Sequence, residues 1–498
     1  MATLYIFAIG GSGSKVIESL VMLLAAGIKA GSYDELVPVL IDPDLINGNL
    51  NRTNDLLKNY EETGKQSDYK GLFFGTKIRP LVENSSEKYK YALDGLNSTF
   101  GDFIAYASLD NNNLGLAHNN KIKKLASLLF SEKGDYLLNL DMEVGFKGYP
   151  NIGSVAFNNF AKSKAFREVF QNNVNSGDAV IFIGSIFGGT GAAGLPALLA
   201  NIRKDPIPSK KNILNDMPVG VVSLLPYYSI TDKTGNKIKS SHFFPKTKEA
   251  LYYYKESVYK ENLQSFYYSA NDCDTGALPY SEGGATQKNP VFFAELVAAL
   301  AVLDFANDKH TAGVLKAKEF LEIKRQDDTD NVNEDITLSE HSCLNEKTRL
   351  KIAEPLFQLF FLKKYMDYEF KNAKDDIQAW TELWNKDASD SINFEYGGDF
   401  KAFLDRFEEY LKELSNYGHK FKPFDLDKKP HDLNGIVKNV NFDFDFEKYS
   451  KKLDILAKGR LFKKRPSYKN SYERLFKLIY NATSETFKEI QGVAKEKK

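Results

Sequence analysis

The sequence predicts an α/β fold: a Rossmann-like domain with a mostly parallel sheet over residues 1–310, then a largely helical region over 353–498. Three observations predict it. The chain opens on an apolar run, Leu4 to Ile9, which turns through Gly10, Gly11, Ser12, Gly13 and Ser14 into a helical pattern carrying Val16, Leu20, Leu23 and Leu24. Strand, glycine turn and helix in that order open a βαβ unit. The same order recurs from Ala179 to Gly194, AVIFIGSIFGGTGAAG, where a run with the character of a strand buried on both faces ends abruptly in glycines. From Ala353 onward the apolar positions fall at helical spacing, and no strand pattern returns.

Composition limits the function classes. A chain of 498 residues with 43% hydrophobic and 13% aromatic content can bury large cores. Lys plus Arg equals Asp plus Glu at 66 each, so no global charge points to nucleic acid or a membrane surface. Two cysteines, Cys273 and Cys343, supply neither a disulfide framework nor metal-ligand spacing, as suits a reducing compartment. His341 and Cys343 in SEHSC read as a surface turn. The opening MATLYIFAIGG lacks a basic leader and reads as a first strand. The apolar segment Val291–Ala306 has 16 residues and contains Glu295 and Asp304, short of the roughly 20 that span a bilayer. These features predict a soluble, cytoplasmic protein.

Taken in order, the first glycine turn lacks the third glycine of G-x-G-x-x-G, since Val16 stands there, so a dinucleotide reading fits imperfectly. A second strand, Val37 to Ile41, runs into Asp42, Pro43 and Asp44. Asp42 would overlie the crevice at the strand's carboxyl end and face a ribose or hydrated Mg²⁺, or else form an Asp-Pro turn. Residues 48–140 mix helical patterns (Lys88–Leu96, Lys121–Phe130) with Asn-rich turns and are expected to be an insertion. In GFKGYPNIG, Gly145, Phe146, Lys147 and Gly148 form a second cradle before a helix opened at Gly153, with Lys147 either at a phosphate or simply on the surface. In the third, Gly188, Gly189, Thr190 and Gly191 precede a helix starting near Ala192. No Gly-Lys-Ser/Thr follows, so this is not a P-loop. Strands at Pro218–Leu225 and Gln264–Ala270 flank a helix at Lys246–Tyr259. Asn271 and Asp272 follow, and a buried helix occupies about 290–306. An acidic linker (311–352) holds Asp327, Asp328, Asp330, Glu334 and Asp335, read as a solvated loop. Amphipathic helices are expected at Pro355–Tyr368, Trp380–Trp384 and Phe400–Leu414. Residues 458–498 hold 12 Lys or Arg against 4 Asp or Glu, with Phe462, Tyr468, Tyr472 and Phe476 interleaved, which reads as a solvated helix face or a grip on an acidic partner or nucleic acid.

The GGTG-x-x-G order at Gly188–Gly194 and the G-x-x-G-x-P-x-hydrophobic-G spacing at Gly145–Gly153 resemble two phosphate loops of the tubulin and FtsZ superfamily, in the right order and spacing. Gly10 to Ser14 look like that family's first loop. Ala192 and Ala193 depart from its usual Ser/Thr-Gly. The resemblance covers about residues 1–310 without the insertion and is greatest to divergent prokaryotic tubulin-like proteins. It implies GTP or GDP with Mg²⁺, and a base read by Asn271 and Glu295 and stacked on Phe292, because a carboxylate accepts from guanine N1–H and its exocyclic amine. It also implies head-to-tail self-assembly into filaments, with GTP hydrolysed by an acid lent by the adjoining subunit. Asp304 and Asp308 qualify by position, although Asn307–Gly313 do not reproduce the family's N-x-D-x-x-D/E loop, and the region after 353 lacks its second β domain. Two alternatives remain open: a non-polymerising, nucleotide-gated scaffold whose helical C-terminal half binds a partner, and an NAD-dependent Rossmann enzyme.

Overall fold

The computed structural model describes residues 2–69, 72–83, 87–93, 95–110, 116–130, 137–143, 145–146, 148–231, 239–270, 277–279, 281, 283–308, 310, 335–338, 344–372, 396–418, 420–428, 449, 452–453, 455–456 and 470–496. The first half alternates strands and helices: β1 Thr3–Ile9, α1 Gly10–Ala25, β2 Glu35–Ile41, α2 Gly48–Gln66, the two-residue strands β3 Lys77–Ile78 and β4 Lys90–Tyr91, α3 Phe100–Phe103, α4 Leu116–Phe130 and α5 Pro150–Phe160. Then come β5 Ala179–Ser185, α6 Thr190–Lys204, α7 Lys211–Asp216, β6 Val219–Leu224, β7 Ser229–Ile230, α8 Phe243–Glu256, β8 Ser265–Ser269, β9 Ala277–Leu278 and α9 Phe293–Asn307. Helices α10 Glu346–Asn372, α11 Gly398–Asn416 and α12 Ser471–Glu496 follow.

The main sheet runs β3-β2-β1-β5-β6-β8, with β4 also on β2, and every pairing in it is parallel. All seven residues of β1, β2 and β5 are buried, which is why these strands read as unbroken apolar runs. Along β1, Leu4, Ile6 and Ala8 face a core built with α1, α2 and α9, while Tyr5, Phe7 and Ile9 face one built with α5 and α6. The chain builds outward from β1 through β2, then crosses to the far side of β1 with β5. The order therefore reverses between β1 and β5, and a crevice opens over their carboxyl ends.

Two expectations fail in the stretch read as an insertion. Residues 48–66 form α2, capped by the Asn47 side chain and packed against α1, so they belong to the sheet's own helical layer. Lys88–Leu96 holds a strand instead of a helix, because Lys90 and Tyr91 pair with Leu40 and Ile41. The helix expected at Lys121–Phe130 forms as α4. Trp380–Trp384, both cysteines, His341 and the acidic run at 327–334 lie outside the described residues.

The late helices share the core of the sheet. Phe357, Phe360, Phe403, Phe407 and Phe476 lie in one buried cluster with Ile17 and Leu57, and the Phe74 ring packs edge-on to Phe403 at 4.9 Å. The aromatic residues of the basic C-terminal stretch that the structure describes also point inward: Phe476 is fully buried, and it and Tyr472 pack against Phe400 at 5.6 and 5.7 Å. They are core residues, unsuited to stacking on bases. Among the described residues, no helix is long and apolar enough to cross a membrane.

Candidate functional site

Three helices begin around the crevice. Among the described residues, no side chain caps the N-termini of helices α1, α5 and α6, and none of the three has an acidic residue in its first turn, so their positive dipole ends face the crevice without a carboxylate of their own. Gly10 makes the first turn at φ +78°, a conformation only glycine adopts cheaply. A Cβ there would lie 3.4 Å from Thr190 Cβ, and one on Gly189 would lie 2.9 Å from Gly148 N, so the three glycine loops meet. Gly11, Ser12, Gly145, Phe146, Gly148, Gly189 and Thr190 all line one cleft that is open to solvent.

The remaining loop residues serve packing. A Cβ on Gly13 would come within 3.0 Å of the Ala8 and Ile183 backbone, and one on Gly191 within 2.6 Å of Ser185 N and O, so these glycines let α1 and α6 press onto the strands. A Cβ on Gly188 would meet Ser185 Oγ at 3.1 Å. Ser14 is buried and donates to Gly10 O at 3.3 Å, turned away from the cleft. Gly153, expected to open α5, sits inside it beneath Ala193, because Pro150 starts the helix. Lys147 and Asn271 lie outside the described residues.

The opposite wall comes from the end of β2 and from the loop before α9. Asp42 and Asp44 are buried and both line the cleft. Burial pushes the Asp42 carboxyl up to about 7, although the Asp44 N–H donates to it at 3.0 Å. Asp44 Oδ2 accepts from Gly284 N at 2.6 Å, while its Oδ1 has no partner among the described residues. Asn49 Oδ1 accepts from Asn289 N at 2.8 Å, and Asn47 donates to Gln287. Two buried carboxylates, one with an idle oxygen, suit a hydrated Mg²⁺ that takes its other ligands from water and phosphate. Among the described residues no three His, Cys, Asp or Glu form a dedicated metal cage. Asn47, Asn49, Gln287 and Asn289 were missed from sequence. The one signal was polar residues at alternate positions in two turns, and nothing local says that the turns meet.

At the floor of the cleft lies Lys15, also unpredicted, buried to 2% exposure on α1. Its Nζ sits 2.5 Å from Glu295 Oε1 and 3.3 Å from Pro290 O, and 5.2 to 5.7 Å from the ring centroids of Phe292, Tyr227 and Tyr228. Glu295, expected to read a base, is fully buried and already engaged: it accepts from Lys15, from the Tyr227 hydroxyl at 2.5 Å and from Phe292 N at 2.7 Å. Burial raises its carboxyl, and Lys15 and Tyr227 oppose that rise. Phe292, expected to stack on the base, is also buried and lies near-parallel to Tyr228 at 6.0 Å, so Tyr228 is the ring of that cluster which lines the cleft. Both corrections have one cause: the first turn of α9 packs on α1, and a carboxylate buried there must find its donors inside the protein.

Asp304 and Asp308 are remote from this cleft. Helix α9 has 15 residues, about 22 Å of rise, and its last turn packs by Ala306 O against Gly31, in the loop that precedes β2. Asp304 accepts from the Tyr267 hydroxyl at 3.0 Å. Both acids therefore lie toward the amino ends of the strands, opposite the glycine loops.

No family model and no curated protein matches this sequence. Among solved structures, the chain is similar to CetZ2 from Haloferax volcanii in a GTPγS-bound protofilament, at 12% identity over 61% of this chain and 58% of that one, with a TM-score of 0.30. The chain thus spans less than two thirds of that neighbour, and so loose a superposition says nothing about what this chain binds.

Proposed function

We propose that the chain binds GTP or GDP in the switch-point cleft, in the manner of the tubulin and FtsZ superfamily its loops resemble. One observation carries the reading: three glycine loops and three uncapped helix starts converge on a single polar cleft. The backbone N–H groups at Gly10–Ser12, at Gly145, Phe146 and Gly148, and at Gly189–Thr190 would hold the phosphates. Asp42 and Asp44 would hold Mg²⁺ through water, and the ion would supply neutralisation of charge between phosphate oxygens. The N–H dipoles of these loops would then face the charge that develops on the phosphate oxygens.

Hydrolysis and assembly belong together in this reading. Asp304 and Asp308, at the far end of α9, reach a phosphate only in another copy stacked head to tail, so turnover per chain should rise with protein concentration. Mass spectrometry of the nucleotide released from purified full-length protein is the first test. Guanine nucleotide supports the assignment; a nicotinamide cofactor, or no nucleotide together with no GTP binding in titration, refutes it. The second reading, a nucleotide-gated scaffold, is favoured by α11: Glu413 accepts from Val291 N at 2.8 Å, and Val291 continues the loop that walls the cleft. Turnover independent of protein concentration, with GTP binding intact, would select it.

A further inference from the structure

We propose that Lys15 determines base specificity in this cleft by donating to the 6-oxo group of a purine, and that the 2-amino group is not read; this rests on the nucleotide reading above. A lysine ammonium has three N–H donors. Two go to Glu295 Oε1 and Pro290 O, and the third has no partner among the described residues, although Lys15 lines the cleft. Of the three rings around the ammonium, Tyr227 and Phe292 are buried behind it and Tyr228 lines the cleft, an aromatic face that suits a flat base and not a hydrated phosphate. Charge points the same way. A phosphate on Lys15 would sit beside the fully buried Glu295, anion against anion, whereas a neutral carbonyl accepts from the ammonium and leaves that pair intact.

The choice among purines follows from donors and acceptors. Guanine and hypoxanthine present O6 and N7 as acceptors on one edge, while adenine replaces O6 by an amine that would face an ammonium. Glu295, which would have to accept from the 2-amino group, accepts from three donors inside the protein and is sealed from the cleft.

Competition titrations of the full-length chain with GTP, ITP and ATP against a fluorescent GTP analogue test this. GTP and ITP should bind within about threefold of each other and ATP at least about tenfold more weakly. Lys15→Met alone strands a buried carboxylate, so the informative variant is Lys15→Met with Glu295→Gln, which removes both charges and keeps an acceptor for Phe292 N. It should bind GTP and ATP within about threefold. ITP tenfold weaker than GTP, or a folded double variant that still prefers GTP over ATP, would overturn the assignment. If GTP binds the native chain with no preference over ATP, this assignment alone falls. If none of the three binds, the nucleotide reading falls with it.

Discussion

Replacing Arg406 by Met tests how the late helices are joined to the sheet. Glu18 on α1 has no exposed surface; Arg406 Nε lies 2.5 Å from its Oε1, and Arg52 contacts its Oε2 at 3.0 and 3.1 Å. Arg406 also makes a two-pronged pair with Glu413 at 2.9 and 2.9 Å, and Arg52 donates to Asn289 O at 3.1 Å. Removing one partner of a buried pair costs about 3–5 kcal/mol, and the surviving Arg52 puts this case near 3. With an unfolding entropy of about 2.1 cal/mol/K per residue, a chain of 498 residues melting as one unit would lose about 3 °C. Burial pushes the Glu18 carboxyl up, but the Arg52 and Arg406 guanidiniums outweigh it and hold it below its ordinary 4.5. A depressed carboxyl stabilises fully above about pH 4.5, and the contribution fades as pH falls through the lower, folded value. Without Arg406 the carboxyl moves up again, so the variant's deficit should be largest near neutral pH and shrink toward pH 4. Urea melts at several pH values measure both quantities. A deficit under about 1 kcal/mol, or one that does not change with pH, would refute the description of Glu18 as held by two arginines.

Three further outcomes follow from the cleft. Tyr227→Phe removes a hydroxyl that donates to buried Glu295 and should cost about 1.5–3 kcal/mol in urea melts; a loss below half a kilocalorie would mean the carboxylate is satisfied without it. Gly189→Ala puts a methyl 2.9 Å from Gly148 N, forcing the two loops apart by about 0.5 Å; GTP affinity by titration should drop about tenfold with the circular dichroism spectrum unchanged, and an unchanged affinity would remove Gly189 from the phosphate cradle. Asp304→Asn with Asp308→Asn should leave GTP affinity within about twofold while lowering turnover, because both acids lie at the far end of α9; a matching fall in affinity would place them in the chain's own cleft.

Much of this was legible because the signals are local. A strand buried on both faces has to be an apolar run, and a turn that brings backbone to backbone has to be glycine, so β1, β5 and their glycine loops can be read off residues 4–14 and 180–191 without knowing what lies beside them. The same glycines could not be sorted by role. Gly189 and Gly191 are two positions apart, yet one approaches the Gly148 loop and the other the end of β5. Residues 48–66 were misread because α2 is polar over most of its length and is buried by α1 and α11, partners distant in sequence.

By itself, then, the sequence determined the parallel α/β architecture, the glycine loops at its switch point and the helical character of the late region, since each depends on the spacing of neighbouring residues. Only the tertiary structure decided which polar side chains face the cleft. It buried Glu295 and Phe292, brought Lys15 to the floor, and joined Asn49 to Asn289 across 240 residues of chain. The reason is physical: the environment of a buried charge is set by whichever donors the packing brings within about 3 Å, and that distance bears no relation to separation along the sequence.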